Sequence, residues 1–461
     1  MRDAAMIAPM YDAAERTELA HELTGAFLAG PWKADLIAES GAACLDRWPS
    51  WMTALAIRVA VVHRTPPVNR RGELFALIVT FLEERRAPDD EREPPRVLRV
   101  LADAPSLRPA DRPRLQHEWA IAAIGSVGEL AERLELSDGQ LAWLADVRGL
   151  ERTVTAERLR NYRYRALPRP GGVPRVIEAP KARLKEIQRW ILREILDQVP
   201  PHAAAHGFTR HRSAVTHAQL HTGQAAVLRL DLKDFFASVP VGRVYGIFRT
   251  LGYSRSVCHV LAGLTTNTVP ESIWQVIAGT THPHAVQARF WLGRQLATPH
   301  LPQGAPTSPA LANLAAFRLD QRLSGLAVAS GLRYSRYADD LTFSGPARLH
   351  RRRNQFELLA TRIVAAEGFT VNEAKSTTQS AGGRQTVCGI VVNVHPNLRR
   401  SEYERLKATL HNAAVHGHTS QNHEGVADFR AHLRGRIAWV RSLNPARGDK
   451  LGELLAQIDW S

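Results

Sequence analysis

Tyr337-Ala338-Asp339-Asp340 sets two adjacent carboxylates at a turn between two strand-like runs, residues 332–337 and 341–344. Like charges side by side repel, and a hairpin tip has no folding need for them. Such a pair asks for a cation. Upstream, the apolar run Ala225-Ala226-Val227-Leu228-Arg229-Leu230 ends in Asp231. A strand ending in an acid delivers its carboxylate to a sheet edge, so Asp231 is expected to face the Asp339-Asp340 hairpin and complete a three-carboxylate metal site. Three carboxylates suit two Mg2+ ions held roughly 3.5–4 Å apart, the clamp on the attacking and leaving oxygens in nucleotidyl transfer.

Further blocks surround this core. Gly171-Gly172 lies between Arg169 and Arg175 in the segment Arg165-Ala166-Leu167-Pro168-Arg169-Pro170-Gly171-Gly172-Val173-Pro174-Arg175. This reads as a tight hairpin turn, and two guanidiniums on such a flap would fold over a triphosphate as bidentate clamps. Phe236 lies five residues after Asp231, where a bulky aromatic would close off the space a ribose 2′-hydroxyl needs, while Phe235 beside it reads as core. Gln303-Gly304 opens a loop in which Pro302, Pro306 and Pro309 forbid regular structure before a helical run at 310–323. Lys375 ends the element Asn372-Glu373-Ala374-Lys375 and is a candidate to protonate a leaving pyrophosphate.

Taken in order with Leu184-Lys185-Glu186-Ile187-Gln188-Arg189, His206-Gly207-Phe208, Gly368-Phe369-Thr370-Val371 and Val387-Cys388-Gly389-Ile390, these blocks resemble a bacterial reverse transcriptase of the retron type, from about Tyr162 to the C-terminus. The resemblance implies an α/β (α+β) right-hand polymerase that adds deoxynucleotides to a primer on an RNA template. Asp231, Asp339 and Asp340 would bind two Mg2+ ions, Arg169 and Arg175 would be fingers residues, Phe236 the steric gate, and Gln303-Gly304 the contact with incoming nucleotide and template base. It further implies a structured non-coding RNA as template and primer, an RNA-linked single-stranded DNA (msDNA) product, and a role in phage defence with a separate effector protein.

Two segments depart from the retron pattern. Relatives often show Asn-Ala-x-x-His where this chain has His217-Ala218-Gln219-Leu220-His221, and Val-Thr-Gly where it has Val387-Cys388-Gly389. Both segments are associated in the family with recognition of the RNA, which makes His217 and His221 candidate RNA contacts. Their i, i+4 spacing would put them on one helix face, but no third ligand is spaced to complete a metal site. From Asn397 onward Arg399, Arg400, Arg405, Arg434 and Arg436 alternate with Leu, Ile and Trp439, as expected of a helical thumb that grips nucleic acid.

Composition bounds the remainder. Sixty Lys and Arg against 45 Asp and Glu leave a net +15 on 461 residues, in keeping with a chain that lies along phosphate backbones. Cys44, Cys258 and Cys388 form no Cys-x-x-Cys pair, which argues against a zinc finger or a disulfide framework and fits a reducing cytoplasm. The N-terminus has no basic segment followed by an apolar core, and the apolar stretch 51–62 contains Arg58, so neither a leader nor a membrane span is expected.

Periodicity predicts helices at 13–28 and 73–86, a charged linker at 86–95, and further helices at 113–134 and 137–147. The expected division is a helical extension (1–95) without a recognisable site, a helical lead-in (96–160), fingers and palm (161–396) with an inserted helical element at about 265–300, and a thumb (397–461). Other readings are a group II intron-like or abortive-infection-type reverse transcriptase, or a non-catalytic RNA-binding scaffold, which would have no need for clustered acids.

Overall fold

The computed structural model describes residues 11–29, 32–42, 44–67, 70–84, 93–95, 119–169, 172–277 and 283–460. The chain divides into two compact units, one drawn from Met1–Arg148 and Phe248–Leu264, the other from Gly149–Ile247 and Thr265–Ser461.

In the first unit, helices Ala13–Ala29, Ala34–Ala42, Met52–Val62 and Arg71–Glu83 bury Leu23, Phe27, Trp51, Met52, Leu55 and Ile78 in one core. Their close approach requires Gly41, where a Cβ would lie 2.5 Å from the Phe27 ring and 2.8 Å from the Met52 sulfur. The linker expected at 86–95 lies outside the described residues apart from 93–95, as does the start of the helix expected at 113. Among the described residues of that predicted helix only Val127–Arg133 is helical, because Ser126 caps it by accepting from the Glu129 amide at 3.1 Å. Ser137 and Gln140 form the expected cap of the next helix, Asp138–Leu144, as a reciprocal box.

Residues 248–264 fall in this unit instead of with the sheet, against the division expected from sequence. The Tyr253 hydroxyl donates to the Ala122 carbonyl at 2.7 Å, and a Cβ on Gly263 would lie 2.2 Å from the Ala145 carbonyl oxygen. These are contacts between segments far apart in the chain.

The second unit is α+β. Strands β1 (Tyr162–Leu167) and β2 (Arg175–Pro180) pair antiparallel, with Leu167 opposite Arg175. Their connection therefore runs over residues 168–174 and is longer than the tight two-glycine turn expected; Gly171 lies outside the described residues. The central sheet has the order β4-β5-β3-β6, all neighbours antiparallel, from β3 (Ala226–Asp231), β4 (Arg333–Tyr337), β5 (Asp340–Gly345) and β6 (Thr377–Ser380). β3 and β5 are buried almost throughout; in β3 this matches the apolar run Ala226-Val227-Leu228, whereas β5 also buries the polar Thr342 and Ser344. A two-residue turn at Cys388-Gly389, both at positive φ, joins β7 (Thr386–Val387) to β8 (Ile390–Val391).

Helix Ser308–Ala315 takes Pro309 into its first turn, where a missing N–H costs nothing, and ends at Ala316 before a second helix, Phe317–Ala329. The single run expected at 310–323, preceded by a loop that included Pro309, is thus two helices. The expected insertion is helical at Glu271–Ile277 and Pro283–Leu296. At the C-terminus, helices Arg400–His416, Phe429–Leu443 and Pro445–Ala456 share a core of Leu406, Leu410, Leu433, Ile437 and Leu451. All three cysteines are free thiols, and no helix among the described residues is long and apolar enough to cross a membrane.

Two buried ionic groups organise this unit. Arg336 on β4 and Asp320 on helix Phe317–Ala329 are both 0% exposed and share two bonds, of 2.7 and 2.8 Å. The same guanidinium donates to the Ala338 carbonyl and to Asn313 Oδ1, each at 3.0 Å. Elsewhere Glu178 on β2 accepts from His300 Nε2 at 3.0 Å and from Asn267 Nδ2 at 2.7 Å, and the Glu178 amide donates to the Gln303 carbonyl at 2.9 Å. His300 Nδ1 lies 2.7 Å from the Thr298 carbonyl, so both ring nitrogens face acceptors. Burial opposes a charge on this ring, yet the attraction of Glu178 and the two hydrogen bonds together raise its pKa above the ordinary value.

Two predictions follow from these groups. Asp320→Ala leaves the Arg336 charge buried and unpaired, so stability is expected to fall by about 3–5 kcal/mol in urea unfolding, and a loss below about 1 kcal/mol would refute the role given to the pair. The Glu178–His300 contribution should be complete below about pH 6.5, the unfolded histidine value, and be lost as pH rises through the raised folded value. Melting temperature measured against pH should therefore decline more steeply above that point in the wild type than in Glu178→Gln, and parallel curves would exclude a charged His300.

Candidate active site

The β3–β5 register places Asp231 directly opposite Asp340, and Arg229 opposite Thr342. Residues two apart on a strand share a face, so Arg229, Asp231, Asp340 and Thr342 form one patch. Tyr337 pairs with Asp340, which leaves Ala338 and Asp339 as the turn, with Ala338 at φ +56°. A left-handed alanine costs conformational energy and persists only where its surroundings fix it. Here Arg336 holds the Ala338 carbonyl, and Gly207 packs so closely that a Cβ on it would lie 2.5 Å from the Ala338 nitrogen. The His206-Gly207-Phe208 motif thus backs the turn.

Each acid has its own surroundings. Lys375 Nζ lies 3.1 and 3.0 Å from the two oxygens of Asp231, and Asn372 donates to the same carboxylate at 3.2 Å while its amide donates to the Asp231 carbonyl at 2.7 Å. Arg229 holds the Asp340 carboxylate through Nη2 and, at 3.3 Å, through Nε. Asp339 is fixed by its backbone, whose carbonyl accepts from the Leu232 amide at 2.8 Å. Burial and then the charge of Asp231 push its carboxyl above the usual range, with Asp340 adding to the effect. Asp231 and Asp340 are therefore close enough to Asp339 to oppose its ionisation.

As the side chains stand, no three His, Cys, Asp or Glu groups among the described residues form a ready metal cluster, since Lys375 and Arg229 engage Asp231 and Asp340. The donor set nonetheless fits a hard divalent cation. It is all oxygen, it juxtaposes like charges, and those charges are already met by cationic side chains.

The other expected residues divide into three groups. Arg175 opens β2, and Arg169, in the β1–β2 connection, helps lower the carboxyl pKa of Asp234, which burial raises overall. The Gln303 carbonyl is tied to β2, and Gly304 at φ +139° runs so near Glu178 that a Cβ would lie 2.8 Å from its carbonyl oxygen. Phe236 is half-buried, its ring centre 6.1 Å from that of Phe208, whereas Phe235 is core against Phe369 at 5.7 Å. Arg399, Arg400 and Arg434 lie in the C-terminal helical region, with Arg400 and Arg434 exposed.

His217 and His221 require a correction. Both are fully buried and neutral, burial pushing His217 far down and His221 to about 3, and neither presents a surface to RNA. Ser335 bridges them, 2.7 Å from His217 Nδ1 and 2.8 Å from His221 Nε2; Ser344 bonds His221 Nδ1 at 2.7 Å, and Thr342 lies 3.3 Å from His217 Nε2. They form a polar layer behind Asp340, whose Oδ1 accepts from Thr342 at 3.4 Å. Cys388 is also near, its thiol pushed up to about 12 by burial and by the charge of Asp340.

Sequence reasoning missed Arg229 and Asn372 as partners of the acids. Strand periodicity carried the signal for Arg229, two residues before Asp231. Asp320, Arg336 and His300 carried no local signal at all.

The family model for reverse transcriptase (RNA-dependent DNA polymerase) matches residues 167–403. The chain is 42% identical over 297 residues to the retron Mx65 reverse transcriptase of Myxococcus xanthus, covering 64% of this chain and 64%, less than two thirds, of that relative. It is 36% identical over 354 residues to the retron Mx162 reverse transcriptase of the same organism, covering 74% and 68%. To the retron Ec86 reverse transcriptase of Escherichia coli it is 29% identical over 286 residues, covering 62% and 77%. The opposed Asp231 and Asp340 thus lie inside the matched region, and the chain belongs to the bacterial retron-type reverse transcriptases, a family of RNA-directed DNA polymerases.

Proposed function

We propose that this chain copies a cognate structured non-coding RNA, serving as both template and primer, into RNA-linked single-stranded DNA. The observation that carries the reading is the register of Asp231 against Asp340, with Asp339 in the adjoining turn. Folding gains nothing from three opposed acids, whereas phosphoryl transfer needs them.

In this reading the β1–β2 hairpin serves as fingers, the central sheet as palm and the C-terminal helices as thumb. Asp231, Asp339 and Asp340 would hold two Mg2+ ions, which when bound supply activation of the primer hydroxyl and neutralisation of the leaving pyrophosphate. Arg169 and Arg175 clamp the triphosphate, as planar forks suited to phosphate oxygens. Phe236, which is half-buried, would exclude a 2′-hydroxyl, and the Gln303-Gly304 backbone would lie against the nascent pair. Lys375, the ammonium next to Asp231, is the group placed to give a proton to pyrophosphate. Arg399, Arg400 and Arg434 supply phosphate contacts. The product, by kinship with retron enzymes, would serve phage defence together with a separate effector protein in the cytoplasm.

Expression of the chain with its upstream intergenic region, followed by nucleic-acid extraction and RNase, should yield a discrete single-stranded DNA. Asp339→Ala with Asp340→Ala should abolish it, since loss of several kcal/mol at the transition state is about a thousand-fold or more in rate. Absence of product together with failure to extend a primed RNA in Mg2+ would refute polymerase activity; extension of the primed RNA alone would refute only the cognate-RNA part. Phe236→Ala should cut the preference for deoxynucleotides over ribonucleotides by about ten-fold or more in single-turnover incorporation. An unchanged ratio would remove Phe236 as the gate.

A further inference from the structure

The C-terminal helices enclose a groove of about 420 Å³ that contains none of the residues of the carboxylate site. That volume is in the range of small-ligand pockets. Helix Arg400–His416 contributes Glu402 and Arg405 to it, and helix Phe429–Leu443 contributes His432, Arg436 and Trp439. Leu406 and Val440, each 1% exposed, tie its base to the helical core. The groove persists because Gly435 puts no side chain into it: a Cβ there would meet no atom within 4 Å.

The lining chemistry narrows the ligand. Trp439 leaves 41% of its surface exposed although Ile437 and Val440 beside it are core. An exposed indole flanked by guanidiniums is the composition of a stacking platform for single-stranded nucleic acid. Glu402 is out of place on such a platform, because a carboxylate repels phosphate. Arg399 stands 4.0 Å away, at the outer limit of an ion pair, so Glu402 is not committed to it. A carboxylate among phosphate-binding groups therefore selects a base edge that donates. Guanine alone offers two adjacent donors, N1–H and the 2-amine, matched to the two oxygens of a carboxylate. Adenine and cytosine set an acceptor beside their amine, and uracil sets acceptors on both sides of its N–H.

We infer that this groove receives one unpaired guanine of the RNA partner, stacked on Trp439, with its Watson–Crick edge on Glu402 and its flanking phosphates on Arg405 and Arg436. The inference rests on the proposal that the chain binds a structured RNA, and it names the feature of that RNA which the C-terminal helices read.

The test uses the full-length chain and an RNA hairpin with a single unpaired guanosine in its loop, beside the same hairpin carrying adenosine or inosine, which lacks the 2-amine. Fluorescence anisotropy at one fixed salt concentration gives the affinities. The guanosine hairpin should bind about ten-fold or more tighter than the adenosine one, with inosine between them. Glu402→Gln should erase the preference, and Trp439→Ala should weaken binding of the guanosine hairpin by about ten-fold. Gly435→Leu adds a side chain to the groove lining where a Cβ meets no atom within 4 Å and favours the helix, so it should remain folded by circular dichroism yet lose the preference. Equal affinity for the three hairpins, or a preference unchanged in Gly435→Leu, would overturn the assignment. Extension of a primed RNA by the unmodified chain, run in parallel, tests the polymerase reading separately: a guanosine preference without extension refutes that reading and leaves the groove assigned, and extension without a preference does the reverse.

Discussion

Asp231 and Asp340 face each other across β3 and β5, and much of the second unit is arranged around that repulsion. Directly opposed like charges cost roughly 0.2–1 kcal/mol even on an ordinary sheet face. Partial burial raises the cost, because less water screens the charges. Lys375 and Arg229 each offset one acid, and among the described residues no ion pair offsets Asp339, whose carboxyl is held up by burial and by Asp231. Within this group three carboxylates stand against two cations. The surplus negative charge is a local cost to folding that a bound divalent cation would remove.

The cost is tolerable because the two sides of the site are built differently. Behind the turn, Arg336 and Asp320 are wholly buried, and in the layer of His217, His221, Ser335, Thr342 and Ser344 every imidazole nitrogen meets a hydroxyl. Breaking such a network exposes nothing to water, so it is expensive and the backbone stays in place. In front, the Lys375 side chain is 54% exposed and the Arg229 side chain 28%. Solvent can replace Lys375 at little cost, and Arg229 at a larger one because its pair with Asp340 is mostly buried. A rigid back with exchangeable cations in front keeps the acids fixed while their counter-charges change.

The hairpin, the Asp231 strand and the order of the blocks were legible from sequence because each depends on local pattern: alternation, an acid at the end of an apolar run, glycine and proline at turns. The roles of Asp320 and Arg336 were not, since a buried pair across sixteen residues looks like any surface Asp and Arg until the helix and strand are packed. His217 and His221 misled for a related reason. Their i, i+4 spacing and their place in an RNA-associated segment pointed outward, whereas the hydroxyls that satisfy them, on Ser335, Thr342 and Ser344, lie over a hundred residues away on the sheet. No glycine or proline marks the break at Ala316, so sequence pattern alone does not show it; Pro309, a residue typical of loops, instead starts a helix. Chain order puts residues 248–264 with the sheet, whereas long-range contacts put them in the first unit.

The same logic explains how two remote candidate nucleotide contacts are held in register. Arg175 begins β2, and Gln303 and Gly304 lie in a loop far along the chain, yet the Glu178 amide and carbonyl meet that loop directly. The Glu178 carboxylate also binds His300 and Asn267 from within the protein, so the strand, Asn267 and the segment before the loop share one buried carboxylate, while the loop itself meets the Glu178 backbone. An apolar contact at this place would bury the same area but would allow the hairpin to slide by a fraction of a residue. Hydrogen bonds to a charged group fix donor and acceptor positions, and a slip would strand a buried charge. The strut is thus better understood as setting where the Arg175 strand and the Gln303-Gly304 backbone stand relative to each other than as a source of net stability.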